Sequence, residues 1–156
     1  MSKRKIMIIG AVLWMALLTI TTISQAQILH PVKWSYAAKK GKDGTAVLML
    51  KATIDPGWHI YSLHVKEGGP VKTSFVFEKN PGYQLLGTIS EPKPISRFEE
   101  TFGMDVAFFE KEVIFSQKVK LLKKTPVTAK GTLTFMVCND KQCLPPEDVP
   151  FSIVVK

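Results

Sequence analysis

Arginine is nearly missing from this chain: of 21 basic residues only Arg4 and Arg97 are arginines. A nucleic-acid surface needs clustered Arg interleaved with aromatic platforms, and a single Arg beyond residue 26 cannot build one. The densest basic stretch, Lys118 to Lys124 (KVKLLKK), alternates with apolar residues instead. It reads as a half-exposed strand whose lysines sit on a solvated face or protect an edge. Long uncharged runs are scarce too. One extends over the 18 residues from Ile6 to Ile23, and nothing after Gln27 approaches that length, which excludes a chain crossing a membrane repeatedly through helices. Internal repeats, low-complexity tracts and linkers are all lacking, so 156 residues imply one domain. Cysteine occurs only twice, at Cys138 and Cys143.

The uncharged run follows Lys3, Arg4 and Lys5 and ends at Ser24-Gln25-Ala26, with small residues at the −3 and −1 positions of a cut after Ala26. A basic segment, an apolar segment and a small-x-small site make a secretory signal peptide over residues 1–26, an uncleaved anchor being the alternative. The expected mature domain, residues 27–156, keeps 18 basic and 13 acidic side chains, a net charge of +5. Export leads to an oxidising compartment, where two cysteines can pair.

Period-2 alternation dominates the mature chain, and convincing helical periodicity is absent. Val32 to Ala38, Thr45 to Ile54, Trp58 to Val65, Thr73 to Glu78 and Tyr83 to Ile89 read as strands. Val106 to Leu122 reads as two strands meeting around Glu110-Lys111, and Val127 to Cys138 and Val149 to Val155 complete the set. Asp55-Pro56-Gly57, Gly68-Gly69-Pro70 and Asn80-Pro81-Gly82 supply turns between them. Seven to nine short strands with frequent turns imply an all-β fold, an immunoglobulin-like β-sandwich with an open barrel as the second choice. The expected core is Trp34, Leu48, Leu50, Ile54, Phe75, Phe77, Phe115, Leu133 and Phe135.

Cys138 and Cys143 lie in VCNDKQCLPPED with four residues between them. Five steps of extended strand span roughly 16 Å, whereas a disulfide needs Cα atoms about 4.4–6.8 Å apart. A bond therefore requires the segment to fold back, and Asn139-Asp140 is suitable turn chemistry. Closing so short a loop contributes only about 2 kcal/mol by the loop-entropy relation, which makes the pair a weak staple. Three readings follow: a redox-active pair, an inert structural bond, or metal ligation. Zinc lacks a second ligand pair, because His30, His59 and His64 have no ligand spacing. Copper(I) would take Cys138, Cys143 and Met136 or Met104.

VCNDKQCLPPEDVPF resembles the active-site segment of the N-terminal periplasmic domain of DsbD-type thiol:disulfide interchange proteins, the disulfide bond corrector domain. DPGWHIYS (Asp55 to Ser62) and EETFGMDVAFFEKEVIF (Glu99 to Phe115) are similar to that family's aromatic strand beside the cysteines and its cap loop over them. The resemblance covers essentially the whole mature chain and implies the same sandwich. It departs in one place, with four residues between the cysteines where a familiar member has five.

The resemblance implies thiol–disulfide exchange, with Cys143 taking the mixed disulfide and Cys138 resolving it. His59 and Tyr61, two apart and so on one face of a strand, match aromatic positions near the cysteines, while Trp58 and Ile60 face the core. Glu99 and Glu100 match an acidic pair near the site, with Arg97 as their ion-pair partner. Counting back from Gly103 puts Thr101 at the family's capping position with Phe102 beside it. Phe102 is taken as the cap because an apolar ring excludes water from sulfur, Phe98 being the reserve. Gly103 supplies a turn conformation that other residues adopt poorly.

The function expected is therefore an exported, periplasmic redox module, a thiol:disulfide oxidoreductase in the sense of an electron-transfer protein. It would stand free of the membrane-spanning and thioredoxin-like domains with which the family's module is usually joined. Its partners are a thioredoxin-like donor on another polypeptide and envelope thiol proteins, in disulfide correction and cytochrome c maturation. It meets the membrane only through an electron-transfer partner and needs no cofactor and no metal. The rival is a non-catalytic sandwich with a structural disulfide. Cleavage after Ala26 predicts that N-terminal sequencing of the exported protein starts at Gln27 or its pyroglutamate. A membrane-retained chain still bearing Lys3 to Lys5 would refute it.

Overall fold

The computed structural model describes residues 29–124 and 126–156, so the expected signal segment lies outside the described residues. Eleven strands and no helix occur among them: β1 (Val32–Lys40), β2 (Thr45–Ile54), β3 (His59–Tyr61), β4 (Ser74–Phe77), β5 (Tyr83–Ser90), β6 (Ile95–Glu99), β7 (Met104–Glu110), β8 (Glu112–Leu121), β9 (Val127–Phe135), β10 (Val137–Cys138) and β11 (Glu147–Val155). All pairings are antiparallel.

One sheet has the order β1-β2-β8-β5, and two smaller sheets, β10-β3-β7-β6 and β11-β9-β4, supply the other walls of the core. The fold is an immunoglobulin-like β-sandwich, as the alternation predicts. Along β2 the inward set is Ala46, Leu48, Leu50, Ala52 and Ile54, all buried. Val113, Phe115 and Val119 of the neighbouring strand β8 lie beside them on the same face, and Val127, Ala129, Leu133, Phe135, Phe151 and Ile153 close from β9 and β11. Trp34 sits among Phe75, Phe115 and Phe135 at ring separations of 5.5–6.1 Å. Of the expected core, Trp34, Phe75 and Phe77 are half-buried against this cluster and the rest are fully buried.

Three strand assignments differ from the sequence expectation. Trp58 to Val65 contributes only β3, because Glu91 takes over the chain beyond Tyr61: its carboxylate accepts hydrogen bonds from the Ser62 hydroxyl and the Leu63 amide. Ile95–Glu99 forms a strand that carries no alternation signal, since it is a mostly exposed edge paired to β7 alone. The expected strand Val127 to Cys138 breaks at Met136, where the chain leaves β11 and β4 and pairs with β3. Lys118 lies on the central strand β8 and is exposed from its face, so of the two readings of the basic stretch the solvated face holds for it.

Gly131 of β9 stands opposite Phe151 of β11 and Phe77 of β4. A Cβ there would lie 2.5 Å from Phe151 Cζ and inside contact distance of the Val76 carbonyl oxygen. The Phe151 ring, which also packs on Phe77 at 5.1 Å and Tyr36 at 6.0 Å, occupies the space the missing side chain leaves. Gly131→Ala must therefore push a core ring or a backbone segment aside. The expected loss of stability is about 1–3 kcal/mol. Urea unfolding checks it, the midpoint falling while the slope stays constant.

Candidate functional site

The break at Met136 determines where the cysteines go. Successive strand residues point to opposite faces, so Val137 enters the main core and Cys138 turns to the outer face of the small sheet. Met104 and Met136 pack there as partly buried apolar side chains. Beyond Cys138 the chain reverses over Asn139–Gln142. The Asn139 side-chain oxygen accepts hydrogen bonds from the amides of Lys141 and Gln142, both at 2.9 Å, the turn chemistry expected of Asn139. The Asn139 amide donates to the Gln142 carbonyl and the Leu144 amide to the Val137 carbonyl, each at 2.9 Å.

Cys138 and Cys143 thus become a directly opposed pair with no backbone hydrogen bond of their own, the position at which antiparallel strands approach most closely. Their Cα atoms are 4.0 Å apart and the sulfurs are bonded. The two residues differ sharply in access. Cys138 is 1% exposed, whereas Cys143 is open to solvent.

The outer face around Cys138 forms a second apolar cluster with Tyr61, Val106 and Phe108, flanked by Val65 and Phe102. His59 stands directly across the ladder from Cys138 and is 5% exposed. Its ring packs on Phe108 at 5.0 Å and edge-on to Tyr61 at 5.3 Å, and its Nε2 lies 3.3 Å from the Tyr61 hydroxyl. Ile60 and Trp58 belong to the main core, the division of faces that the period-2 pattern implies.

The β6–β7 hairpin covers this face. Its turn is closed by the Phe102 and Gly103 amides donating to the Glu99 carbonyl at 3.1 and 2.9 Å, and Gly103 has φ of 62°, a left-handed conformation natural to glycine. Phe102 is half-buried against the Cys138 cluster, whereas Phe98 is 58% exposed. Arg97 donates through Nε and Nη2 to Glu99 Oε1 at 3.1 and 2.9 Å, and its guanidinium lies 4.9 Å from the Phe108 ring centroid.

A cavity of about 100 Å³ brings together His59, Tyr61, Glu99, Phe102, Cys138 and Cys143, and Thr101, Arg97, Asn139 and Asp140 line it with them. Glu100 is exposed and does not line it; its carbonyl accepts from Gly103. His30 lies instead at a groove beside Leu144, Pro145 and Pro146, and His64 is exposed. Among the described residues no cluster of three or more His, Cys, Asp or Glu side chains could hold a metal ion.

Burial sets the electrostatics. It lowers the His59 pKa below 6.5 against the opposing pull of Glu99, so the imidazole is neutral near pH 7. Burial, followed by the Glu99 charge, pushes Tyr61 up to about 12 and keeps its hydroxyl protonated. Arg97 is held charged by its hydrogen bond to Glu99. Chemically, the arrangement is one exposed and one buried sulfur beside a neutral base and a protonated phenol, under an aromatic ring.

Sequence reading missed Val65, Val106 and Phe108 as parts of the site. Val106 and Phe108 alternate correctly for one face of β7, but Phe109 beside them is also buried, on the other side. A strand covered on both faces carries no mark of which residues face the cysteines.

Comparison with known proteins places this geometry in context. The profile of the family described as thiol:disulfide interchange protein DsbD, N-terminal, matches residues 25–154. Similar solved structures include the reduced DsbD N-terminal domain of Neisseria meningitidis, with 20% identity and a TM-score of 0.52 over 78% of this chain and 85% of that one. The N-terminal periplasmic domain of ScsB from Proteus mirabilis gives 20% and 0.54, covering 80% of this chain and 48% of its own. The neisserial DsbD N-terminal domain in complex with the PilB N-terminal domain gives 18% and 0.55, covering 81% and 87%. At such identities the likeness to solved structures speaks for the fold alone. A search of curated proteins gives no match. The profile match spans nearly all of the described sandwich, including the cysteine hairpin, and the chain belongs to the DsbD N-terminal domain family.

Proposed function

We propose that this chain is an exported thiol–disulfide exchange module that accepts reducing equivalents from a thioredoxin-like donor and passes them to envelope thiol proteins. The observation that carries this reading is the unequal exposure of two bonded sulfurs at a short hairpin tip. Exchange begins with a thiolate attacking one accessible sulfur, and Cys143 is accessible where Cys138 is not.

A donor thiolate attacks Cys143 Sγ, the Cys138–Cys143 bond breaks, and Cys138 leaves as a thiolate that takes up a proton. A second donor thiol then attacks the donor sulfur of the mixed disulfide and frees Cys143. Two electrons and two protons have moved to the pair. Delivery to an acceptor runs the same steps in reverse, with Cys143 attacking the acceptor disulfide and Cys138 resolving it. The solved complex of the neisserial DsbD N-terminal domain with the PilB N-terminal domain supports a protein domain as the partner engaged. The family match and the expected signal peptide at residues 1–26 support a periplasmic location, with residues 27–156 as the working domain.

Cys138→Ala is expected to hold Cys143 in a mixed disulfide with a thioredoxin-like partner whose own second cysteine is also replaced, because no thiol then remains in the adduct to release it. Mass spectrometry of the trapped adduct identifies both ends. Stability should fall by no more than about 2 kcal/mol, since the loop closed is short. Collapse of the fold would favour the structural-bond reading, and absence of any adduct through Cys143 would overturn the assigned polarity.

Phe102 acts in this scheme as the cap that shields the reduced pair, swinging away on the Gly103 turn when a partner arrives. Phe102→Ala should speed reaction of the reduced pair with a small oxidant several-fold and leave the unfolding midpoint nearly unchanged. A loss of about 3–5 kcal/mol would instead assign the ring to the core.

A further inference from the structure

We infer that His59 is the base that removes the proton from Cys138 when that buried thiol becomes the attacking thiolate. The inference rests on exchange at the cysteine pair and adds a step that the exchange requires. Cys138 is 1% exposed and packed against Tyr61, Val106 and Phe108. Apolar surroundings disfavour a thiolate and keep bulk water from taking the proton, so a group inside the cavity must accept it.

Each element around the cavity offers its titratable groups, and most are unsuited. Arg97 on β6 has no acceptor lone pair. Glu99 on β6 is engaged with Arg97 through two hydrogen bonds. Tyr61 on β3 is protonated at neutral pH and is no base there. Glu110 at the end of β7 and Asp140 in the cysteine hairpin are exposed. His59 remains. It is the direct cross-strand partner of Cys138, so both side chains leave the sheet on the same face, and such partners have Cβ atoms roughly 5 Å apart. In the tautomer whose Nε2–H donates to the Tyr61 hydroxyl oxygen, Nδ1 keeps its lone pair and can take a proton. The imidazolium that forms gains from the Glu99, Glu110 and Asp140 carboxylates, against the opposing charge of Arg97.

In the mixed disulfide, the Cys138 proton moves to His59 Nδ1 and the Cys138 thiolate attacks Cys143 Sγ. The Cys138–Cys143 bond forms, the bond from Cys143 to the partner breaks, and the partner sulfur leaves as a thiolate with the electron pair. His59 then returns its proton to solvent. In the opposite direction the imidazolium reprotonates Cys138 as it leaves.

The test is the reaction of the fully reduced chain with one equivalent of dithiobis(nitrobenzoate), followed by stopped-flow absorbance. Attack by Cys143 releases a first nitrothiobenzoate, and closure by Cys138 releases a second. In His59→Gln the first release should be unchanged and the second slower by about 10²-fold at neutral pH, the scale of general-base catalysis. The deficit should shrink as pH rises and the thiol ionises unaided, and added imidazole should restore the second release in His59→Ala. In the unaltered chain the second release should climb as His59 loses its proton and then level off before alkaline pH. That profile stands as the test should the variants not fold. Equal second releases in the unaltered chain and a folded His59→Gln, or a profile rising without a plateau into alkaline pH, would overturn the role of His59. No second release from the unaltered chain would overturn exchange at the pair itself, a failure separate from that of His59.

Discussion

The small sheet β10-β3-β7-β6 is apolar on both faces, and the site depends on that. Most antiparallel sheets in a sandwich bury one face and hydrate the other. Here Ile60, Phe109 and Val137 point into the main core while His59, Tyr61, Val106, Phe108 and Cys138 point outward. An outward apolar face must be covered, and the β6–β7 hairpin covers it with Phe102 and Met104. The cover is thin, a four-residue turn rather than a second sheet. Cys138 is sheltered beneath it, while its bonded partner Cys143 stands open to solvent at the margin.

The register that puts Cys138 opposite His59 is held by remarkably little ladder, two residue pairs between β10 and β3. A slip of one residue would send Cys138 into the core and Val137 to the cavity. Packing prevents it. Val137 and Ile60 interlock within the main cluster on one side, and the Asn139 turn holds the hairpin on the other. The three pairs between β3 and β7 carry the same alternation onward, so His59, Tyr61 and Phe108 share the outer face with Cys138.

Stability and chemistry are separated in this molecule. The aromatic centre around Trp34, Phe115 and Phe135 and the aliphatic rows of β2, β8, β9 and β11 hold the sandwich with no covalent link between sheets. The one disulfide among the described residues joins neighbours that backbone hydrogen bonds already hold together. The short loop it closes contributes no residue to the main core. That separation lets a disulfide serve as a carrier of electrons rather than as a brace.

Alternation within single strands carried much of the answer before any coordinates. The rows of β2, β8, β9 and β11, the turn at Glu110-Lys111, the turn chemistry of Asn139 and the shared face of His59 and Tyr61 are all local, written in residues a few positions apart. The cysteine segment itself carried the family. Three things were decided only in three dimensions. Edge strand β6 has almost no buried residue of its own, and only its pairing to β7 makes it a strand. The division at Met136, which turns Cys138 outward, arises because one chain serves two sheets, a choice made by strands remote in sequence. The selection of Glu99 over Glu100, and of Phe102 over Phe98, at the cavity depends on which way a four-residue turn presents its side chains. Periodicity reports what a strand does with its two faces. It is silent about which neighbour covers them, because that contact joins residues far apart along the chain.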